Sequence, residues 1–364
     1  MREHFNVPDR YFLSHSVGCL PKRAPAYLGD HFLAPWQAKG GDAWPDWMQE
    51  IETFRARISA LLATDPAQIC PQTNVSSGLT KILYALPETG RKTILCTELD
   101  FPSIGFVLKQ AERAGFRLRF VQGDLTDAST WAGAMDSTVG AVLITHAFSN
   151  TSQLMPVEAI CRMARSAGAI SIVDIAQSAG IVPIDVTAWG ADFAIGTGVK
   201  FLCCGPGACY LYAAPKMVDI CQPLDVGWFS HEDPFEMDIH DFRYASSAMR
   251  FFGGTPSPAP IIMANAALAL WDEVGVRTAQ TRAQALLSVL TDHAAHLGVV
   301  SPLIAGERGG TLVLNPPKRE RLRQVLGEQN VLFDERREGF RFSVHGYTSD
   351  NDIQGLSDAF RRAD

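Results

Sequence analysis

The sequence contains neither a block of lysine and arginine nor a long apolar run. Its 32 Lys and Arg are outnumbered by 39 Asp and Glu, and the net charge at pH 7 is −7. Without a basic cluster the chain has little attraction for nucleic acid or an anionic membrane, so we predict neither as a partner. No run reaches the roughly 18 apolar residues that a membrane-spanning helix needs, and residues 1–10 lack the apolar core of a signal peptide. These absences predict a cytoplasmic protein.

Disulfide and metal-binding patterns are also missing. The eight cysteines lie mostly within apolar runs, and the neighbouring Cys203 and Cys204 do not have the spacing of metal ligands. Small secreted proteins that depend on disulfides arrange their cysteines in a regular framework instead. We therefore predict buried free thiols and no metal site.

What the sequence does contain is an alternation of strand-like and helix-like segments between residues 93 and 213. This alternation predicts an α/β fold with a mostly parallel sheet covered by helices. After about residue 246 two long helices are followed by a strand, a helix, a hairpin and a last helix. A chain of 364 residues is long enough for two domains. We predict an N-terminal segment (1–20), a large domain (21–245) and a small α+β domain (246–364).

Two charged residues follow strand-like runs of the predicted sheet, where ligands of open α/β sheets bind. Asp174 ends a buried strand, and a carboxylate there is costly unless it meets a cation or donors. A protonated pyridine nitrogen is such a partner, whereas a helix N-cap is the ordinary alternative. Lys200 lies between Val199 and Phe201, and apolar surroundings favour the neutral amine that forms imines. A surface lysine with a packed stem is the alternative.

Polar residues at the start of a predicted helix indicate an anion site. Ser76, Ser77 and Gly78 open that helix, and its backbone N–H groups and hydroxyls suit a phosphate. The hydroxyl of Thr197 is a further hydrogen-bond donor for the phosphate. Ordinary helix capping explains the serines equally well. The segment is not a P-loop, because the Gly-Lys-Ser/Thr ending is absent.

Arg341 alternates with two phenylalanines, so its side chain takes the opposite face of a strand from theirs. An inward arginine there suits bidentate capture of a carboxylate. A solvent-facing strand arginine is the alternative.

In their order and spacing, these motifs resemble the class V aminotransferase family, which includes cysteine desulfurases, kynureninase and isopenicillin N epimerase-like proteins. The resemblance runs from about Tyr11 to Asp352 and is strongest over residues 173–180, with Lys200 following 26 positions after Asp174 (200 minus 174). It implies the aspartate-aminotransferase architecture (fold type I) and pyridoxal 5′-phosphate as cofactor, bound by the large domain. By the same resemblance Lys200 forms the Schiff base, Asp174 meets the pyridine nitrogen and Gln177 lies near the ring oxygen.

Further roles follow from the resemblance alone. Residues 11–21 resemble a segment that lines the substrate site, which makes His15 and Ser16 substrate-binding candidates. Phe101 matches a phenylalanine that stacks on the cofactor ring, and Asn150 matches an asparagine near the ring hydroxyl. Residues 253–256 resemble a loop that reaches the partner's phosphate, which implies a homodimer with Thr255 at the partner's site. Arg341 falls in the segment that binds the carboxylate of a small amino-acid substrate.

Departures from the family patterns narrow the expected reaction. Residues 302–339 contain no cysteine, and Phe101 stands where desulfurases usually stack a histidine, so we do not expect a desulfurase. Val199 replaces the tyrosine that precedes the lysine of kynureninase. We predict a kynureninase-like or β-eliminating lyase, with a transaminase or an epimerase as the alternative. A non-catalytic protein of the same fold is a further rival, and a nucleotide-binding oxidoreductase is disfavoured because no Gly-x-Gly-x-x-Gly follows the early strands.

Overall fold

A computed structural model describes residues 1–363 and is built around a seven-stranded sheet. The strands of the chain are β1 (Phe5–Asn6), β2 (Leu20–Pro21), β3 (Ile69–Gln72), β4 (Thr93–Cys96), β5 (Arg117–Phe120), β6 (Val139–Thr145), β7 (Ile170–Asp174), β8 (Phe193–Thr197), β9 (Cys209–Ala213), β10 (Thr311–Leu314), β11 (Asp334–Glu335) and β12 (Phe340–Ser343). The large sheet has the order β3-β9-β8-β7-β6-β4-β5. Six of these seven strands run in the same direction, and β9 runs opposite to them.

Strand direction decides which residues meet at the site. Parallel strands end at the same edge of a sheet, and ligands of such sheets bind there. The register sets Thr145 at the end of β6 beside Asp174 at the end of β7. Because β9 runs the other way, its first residue, Cys209, pairs with Thr197 at the end of β8. The polar ends of three parallel strands and the start of β9 therefore share one edge.

Helices pack against this sheet. The helices of the chain are α1 (Ala24–Leu28), α2 (Ala34–Lys39), α3 (Trp44–Leu62), α4 (Val75–Ala85), α5 (Pro102–Ala111), α6 (Ala128–Ala134), α7 (Val157–Ser166), α8 (Val186–Trp189), α9 (Pro215–Ile220), α10 (Pro258–Val274), α11 (Val276–His293), α12 (Arg319–Glu328) and α13 (Asp350–Arg362). A π-helical turn, Gly29–Leu33, joins α1 to α2. The predicted alternation of strands and helices is confirmed, whereas α3 and β3 were not predicted. The apolar spacing of α3, with buried Trp47, Ile51, Phe54, Ile58 and Leu62, is typical of an amphipathic helix.

The C-terminal part has its own sheet and core. Strands β10, β12 and β11 form a three-stranded antiparallel sheet in that order. Its core also contains Phe12 of the N-terminal segment, whose carbonyl accepts a hydrogen bond from the backbone of Ser343 at 2.9 Å. Helix α10 packs on α3 and shares the core of the large sheet. The domain boundaries given above stay a prediction.

Two further predictions from the sequence concern membrane-spanning helices and the cysteines. No single helix within residues 1–363 is long and apolar enough to cross a membrane, and the one helix pair with that length and composition, α10 and α11, is bent by 81°. All eight cysteines are buried free thiols, as predicted.

Candidate active site

A cavity of ≈ 240 Å³ lies at the edge where the parallel strands end. Six of the predicted site residues line it: Ser76, Phe101, Asp174, Gln177, Thr197 and Lys200. The other lining residues are Asn74, Val75, Ser103, Ile104, Thr145, Ala147, Ser149, Ala176 and Cys209. Residues that are 124 positions apart in the chain, from 76 to 200, thus share one cavity (200 minus 76).

Asp174 presents a buried carboxylate to this cavity. The residue is 5% exposed, and one carboxylate oxygen accepts a hydrogen bond from the backbone N–H of Ala176 at 2.9 Å. Burial raises the pKa of Asp174, while that hydrogen bond and the charge of Lys200 lower it. A buried carboxylate with a single recorded donor in residues 1–363 is an acceptor ready for a cationic ligand.

Lys200 presents its amine to the same cavity. The amine lies 5.5 Å from the centre of the Phe101 ring. Burial lowers the pKa of Lys200 to about 8, with Asp174 acting in the opposite direction and Arg341 and Arg336 adding to the decrease. An amine with this pKa is partly neutral near pH 7, and the neutral form is the nucleophile.

The start of α4 forms another wall of the cavity. The side chain of Asn74 caps the helix by accepting a hydrogen bond from the Ser77 N–H at 2.8 Å. Ser76 faces the cavity, whereas Ser77 lines a separate groove. A Cβ on Gly78 would lie 2.7 Å from Ile195 Cδ1, so this glycine allows α4 to pack closely on β8. The helix start therefore offers an anion site, but the three predicted residues face three directions.

Arg341 lies beside the cavity and is already engaged. Its side chain is buried, and Nη1 donates to the Ser149 carbonyl at 2.8 Å while Nη2 forms an ion pair with Asp334. The Nε atom is buried without a partner among residues 1–363. Asp334 also pairs with Arg336 at 3.3 Å, and Arg336 lies 5.5 Å from the centre of the Phe101 ring. Two arginines around one aspartate leave a net positive charge beside the cavity.

His15 completes this cluster. Its Nδ1 lies 2.9 Å from Ser343 Oγ, and its Nε2 lies 3.6 Å from Asp334 Oδ2. Burial lowers the pKa of His15 to about 4. The nearby His15 ring, together with Arg341, holds the pKa of Asp334 well below its usual range. The His15 carbonyl accepts from Gln177 Nε2 at 3.2 Å, which connects the cluster to the cavity wall.

Seven predicted residues lie outside the cavity lining. Four of them, Ser77, Gly78, His15 and Arg341, are described above, and the other three are Ser16, Asn150 and Thr255. Ser16 is exposed. Asn150 follows the lining residue Ser149, and its Oδ1 is buried without a partner within the described part of the chain. Thr255 lines the groove that also contains Ser77, and its hydroxyl accepts from Trp228 Nε1 at 3.2 Å.

Sequence reasoning missed several polar residues of the site. Thr145 ends a parallel strand just as Asp174 does, so the strand-end rule was sufficient to find it. Its hydroxyl donates to Asp100 at 2.7 Å, and burial raises the pKa of Asp100 to about 6. Cys209 lines the cavity because β9 is antiparallel, a direction that the apolar pattern of β9 does not reveal. Burial raises the pKa of Cys209, although Thr197, Lys200 and the Val75 backbone oppose this shift.

Comparison with known sequences identifies relatives over most of the chain. The family model described as Aminotransferase class-V matches residues 31–332. A kynureninase of Deinococcus radiodurans is 31% identical over 354 residues, which cover 92% of this chain and 84% of the relative. An uncharacterized aminotransferase of Bacillus subtilis, YcbU, is 25% identical over 320 residues, with coverage of 87% and 85%.

Comparison with solved structures supports the architecture. The complex of the cystine C–S lyase C-DES with cysteine persulfide superposes with a TM-score of 0.87, at 24% identity and 98% coverage of both chains. The apo cysteine desulfurase of Thermococcus onnurineus has a TM-score of 0.85 at 20% identity, covering 96% of this chain and 93% of its own. At these identities the likeness carries the fold alone, and the predicted aspartate-aminotransferase-like fold is confirmed.

Proposed function

The chain belongs to the class V aminotransferase family, and from that membership we propose that it is a lyase that breaks a side-chain bond of an amino acid. It is a pyridoxal-phosphate-dependent enzyme, as the sequence predicts. The observation that carries the choice of a lyase is the 31% identity to a kynureninase over 92% of the chain. The substrate proposed first is therefore kynurenine or an amino acid with a similar aryl-ketone side chain.

The residues that line the cavity fit the cofactor. Asp174 is a buried carboxylate with one recorded donor in the described chain, and it would hold the protonated ring nitrogen. Lys200 would form the Schiff base, and Phe101 would cover one face of the ring. The N-terminus of α4, with Ser76, and the hydroxyl of Thr197 would hold the phosphate. When bound, pyridoxal phosphate supplies an electron sink for negative charge at the substrate α-carbon.

Proton transfer is assigned to Lys200. Its pKa of about 8 leaves a useful fraction of neutral amine near pH 7, so it can accept the α-proton and return it. The nearby phenylalanine and the burial of the amine limit exchange with water. Asp174 contributes by keeping a proton on the ring nitrogen, because its own negative charge favours the cationic ring.

Binding of the substrate carboxylate is assigned to Arg341, with Asp334 as its orienting partner. The ion pair to Asp334 and the bond to the Ser149 carbonyl fix the guanidinium plane, and the buried Nε remains as a donor. Arg336 adds a second positive charge to the same cluster. The net charge of the three side chains, two arginines and one aspartate, favours an anionic group.

The lyase proposal is tested with a panel of amino acids, including kynurenine, in the presence and absence of pyruvate or 2-oxoglutarate. A lyase releases ammonia or a side-chain fragment without an added keto acid. A transaminase, the second candidate, turns over only with the keto acid; the identity to the aminotransferase YcbU favours including this arm. Turnover that depends on a keto acid for every substrate contradicts the lyase proposal.

We also propose a cytoplasmic homodimer in which Thr255 completes the partner's phosphate site. Thr255 lies outside the cavity of its own chain, in the groove that receives Ser77 from the same α4 helix start. Nearby, residues 228–244 carry exposed Phe235 (67%), Met237 (66%) and Ile239 (89%), which suit burial against a second copy. A mixed dimer of Lys200→Ala and Thr255→Ala subunits regains one intact site only if Thr255 acts across the interface. Recovery of activity on mixing supports the proposal, and no recovery with a proven mixed dimer contradicts it.

A further inference from the structure

The turn that follows Lys200 accepts hydrogen bonds from three distant segments of the chain. We name residues 199–204 the Lys200 turn. Gly18 N donates to the Val199 carbonyl at 2.7 Å, and Cys203 N donates to the Lys200 carbonyl at 3.0 Å. His345 Nε2 donates to the Phe201 carbonyl at 2.8 Å, and Trp271 Nε1 donates to the Leu202 carbonyl at 3.1 Å. Only one of these four donors belongs to the turn itself. The other three come from the N-terminal segment, from α10 and from the segment after β12.

His345 is held as a neutral donor. It is fully buried, and its ring lies 4.0 Å from the ring of Tyr347 and 5.6 Å from that of Trp271. Its Nδ1 has no partner among residues 1–363, and burial lowers the pKa of the ring to about 4. Because Nε2 faces the Phe201 carbonyl, the proton of the neutral ring resides on Nε2.

The backbone of the Lys200 turn is constrained by close contact. A Cβ on Gly18 would lie 2.2 Å from the Lys200 carbonyl oxygen and 2.9 Å from Cys203 Cα, so only glycine allows the N-terminal segment to lie on the turn. Cys203 itself has φ = 60°, a left-handed conformation that is uncommon for residues other than glycine. A turn in this conformation depends on its surroundings to keep it in place.

We infer that His345 and Trp271 are positioning residues that set the direction of the Lys200 amine through the carbonyls of the next two residues. Neither side chain lines the cavity, so neither is a catalytic residue. The bonds tie the two residues after Lys200 to α10 and to the segment after β12 and thereby hold the amine at a fixed place in the cavity. This inference rests on the proposed role of Lys200 as the residue that bonds to the cofactor.

The test compares holoenzyme variants reconstituted with pyridoxal phosphate. His345→Phe keeps a ring but removes the donor, and His345→Gln restores an N–H donor. The readout is the fraction of bound cofactor that borohydride fixes covalently to Lys200, measured by mass spectrometry, together with kcat and the visible absorbance as a function of pH. We expect His345→Phe to lower kcat by about tenfold, to reduce the fraction of cofactor fixed to Lys200 and to move the midpoint of the absorbance change with pH. His345→Gln is expected to recover most of each change.

His296→Phe is the control for the loss of a histidine-to-carbonyl hydrogen bond. It removes the same kind of bond, from His296 Nε2 to the Phe360 carbonyl at 3.1 Å, at a place outside the cavity lining. Its kcat, fixed fraction and absorbance midpoint are expected to equal those of the unaltered enzyme. Should His345→Phe fail to fold, Trp271→Phe, which removes only the Nε1 donor, gives the same test.

The outcomes separate this inference from the proposed function. If the unaltered enzyme shows no covalent fixation at Lys200, the proposed role of that lysine fails. If the unaltered enzyme is fixed at Lys200 and both His345→Phe and Trp271→Phe match it in fixed fraction, kcat and midpoint, the positioning role is overturned and the proposed function stands.

Discussion

In the described part of the chain, the charged groups at one end of the site lack an ion-pair partner, whereas those at the other end are paired. At the sheet edge, the Asp174 carboxylate accepts one hydrogen bond from within residues 1–363. Burial raises the pKa of Asp174 and lowers that of Lys200, so it favours the neutral form of each group. At the other end, Arg341 is paired with Asp334, which Arg336 and His15 also approach. The first end suits a ligand that brings its own cation. The second suits an anion that can share an arginine already held in place.

The largest loss of activity is expected when the Lys200 amine at the first end is removed. Lys200→Ala removes both the covalent anchor and the proton acceptor, so we expect kcat to fall by at least about 10³-fold. The visible absorbance of the bound cofactor should also be lost or shifted. Lys216→Ala, which removes a half-exposed lysine paired with Asp192, is the control and should leave both unchanged. Normal absorbance in Lys200→Ala would refute the assignment.

The next effect comes from neutralising the carboxylate at the same end. Asp174→Asn keeps the shape but cannot hold a proton on the ring nitrogen, so we expect kcat to fall by roughly 10²-fold or more. Asp192→Asn is the matched change at another buried aspartate, which binds the Ser171 hydroxyl and backbone. It should lower the thermal midpoint of unfolding and leave the cofactor spectrum unaltered. Equal effects of the two variants on the spectrum would remove the special role of Asp174.

A smaller effect is expected at the second end, mainly in substrate binding. Arg341→Lys keeps the charge but loses the planar fork, so KM for the amino acid should rise by about 10-fold or more while kcat changes less. Arg323→Lys, at a partly exposed arginine that pairs with Glu335 and Glu320, is the control. Steady-state kinetics with the best substrate of the panel gives both constants. An unchanged KM would contradict the assignment of carboxylate binding to Arg341.

The smallest effect is a pH dependence of cofactor capture by the apoprotein. Because the neutral amine is the nucleophile and the pKa of Lys200 is about 8, the capture rate should rise with pH and reach half its limit near that value. Between pH 8 and pH 7 the neutral fraction falls about fivefold. Stopped-flow absorbance measures this rate. A rate that does not change over this interval would contradict the lowered pKa of Lys200.

The contrast between the two ends also explains what the sequence could predict. Asp174 and Thr197 end strands with clear apolar patterns, and Lys200 follows the second of these strands within three residues, so local rules placed them at the sheet edge. Their roles came from the family resemblance, because a helix cap and a surface lysine fitted the local pattern as well. Cys209 and Asp100 were missed, the first because strand direction depends on sheet pairing and the second because it lies in a loop.

The second end joins segments that are far apart in the sequence. His15, Ser149 and Arg341 meet only through tertiary packing. The sequence indicated Arg341 by strand alternation and His15 by family resemblance, but it gave no sign that Asp334 pairs with both. Whether Ser16, Asn150 and Thr255 contact the cofactor or substrate stays a prediction.

A crystal structure of the protein grown with pyridoxal phosphate tests the central claim most directly. We predict that the cofactor occupies the cavity between α4 and the strand ends, with its ring nitrogen hydrogen-bonded to Asp174 and its reactive carbon joined to the Lys200 amine. Cofactor density joined to another lysine, or a ring nitrogen that faces away from Asp174, would contradict it.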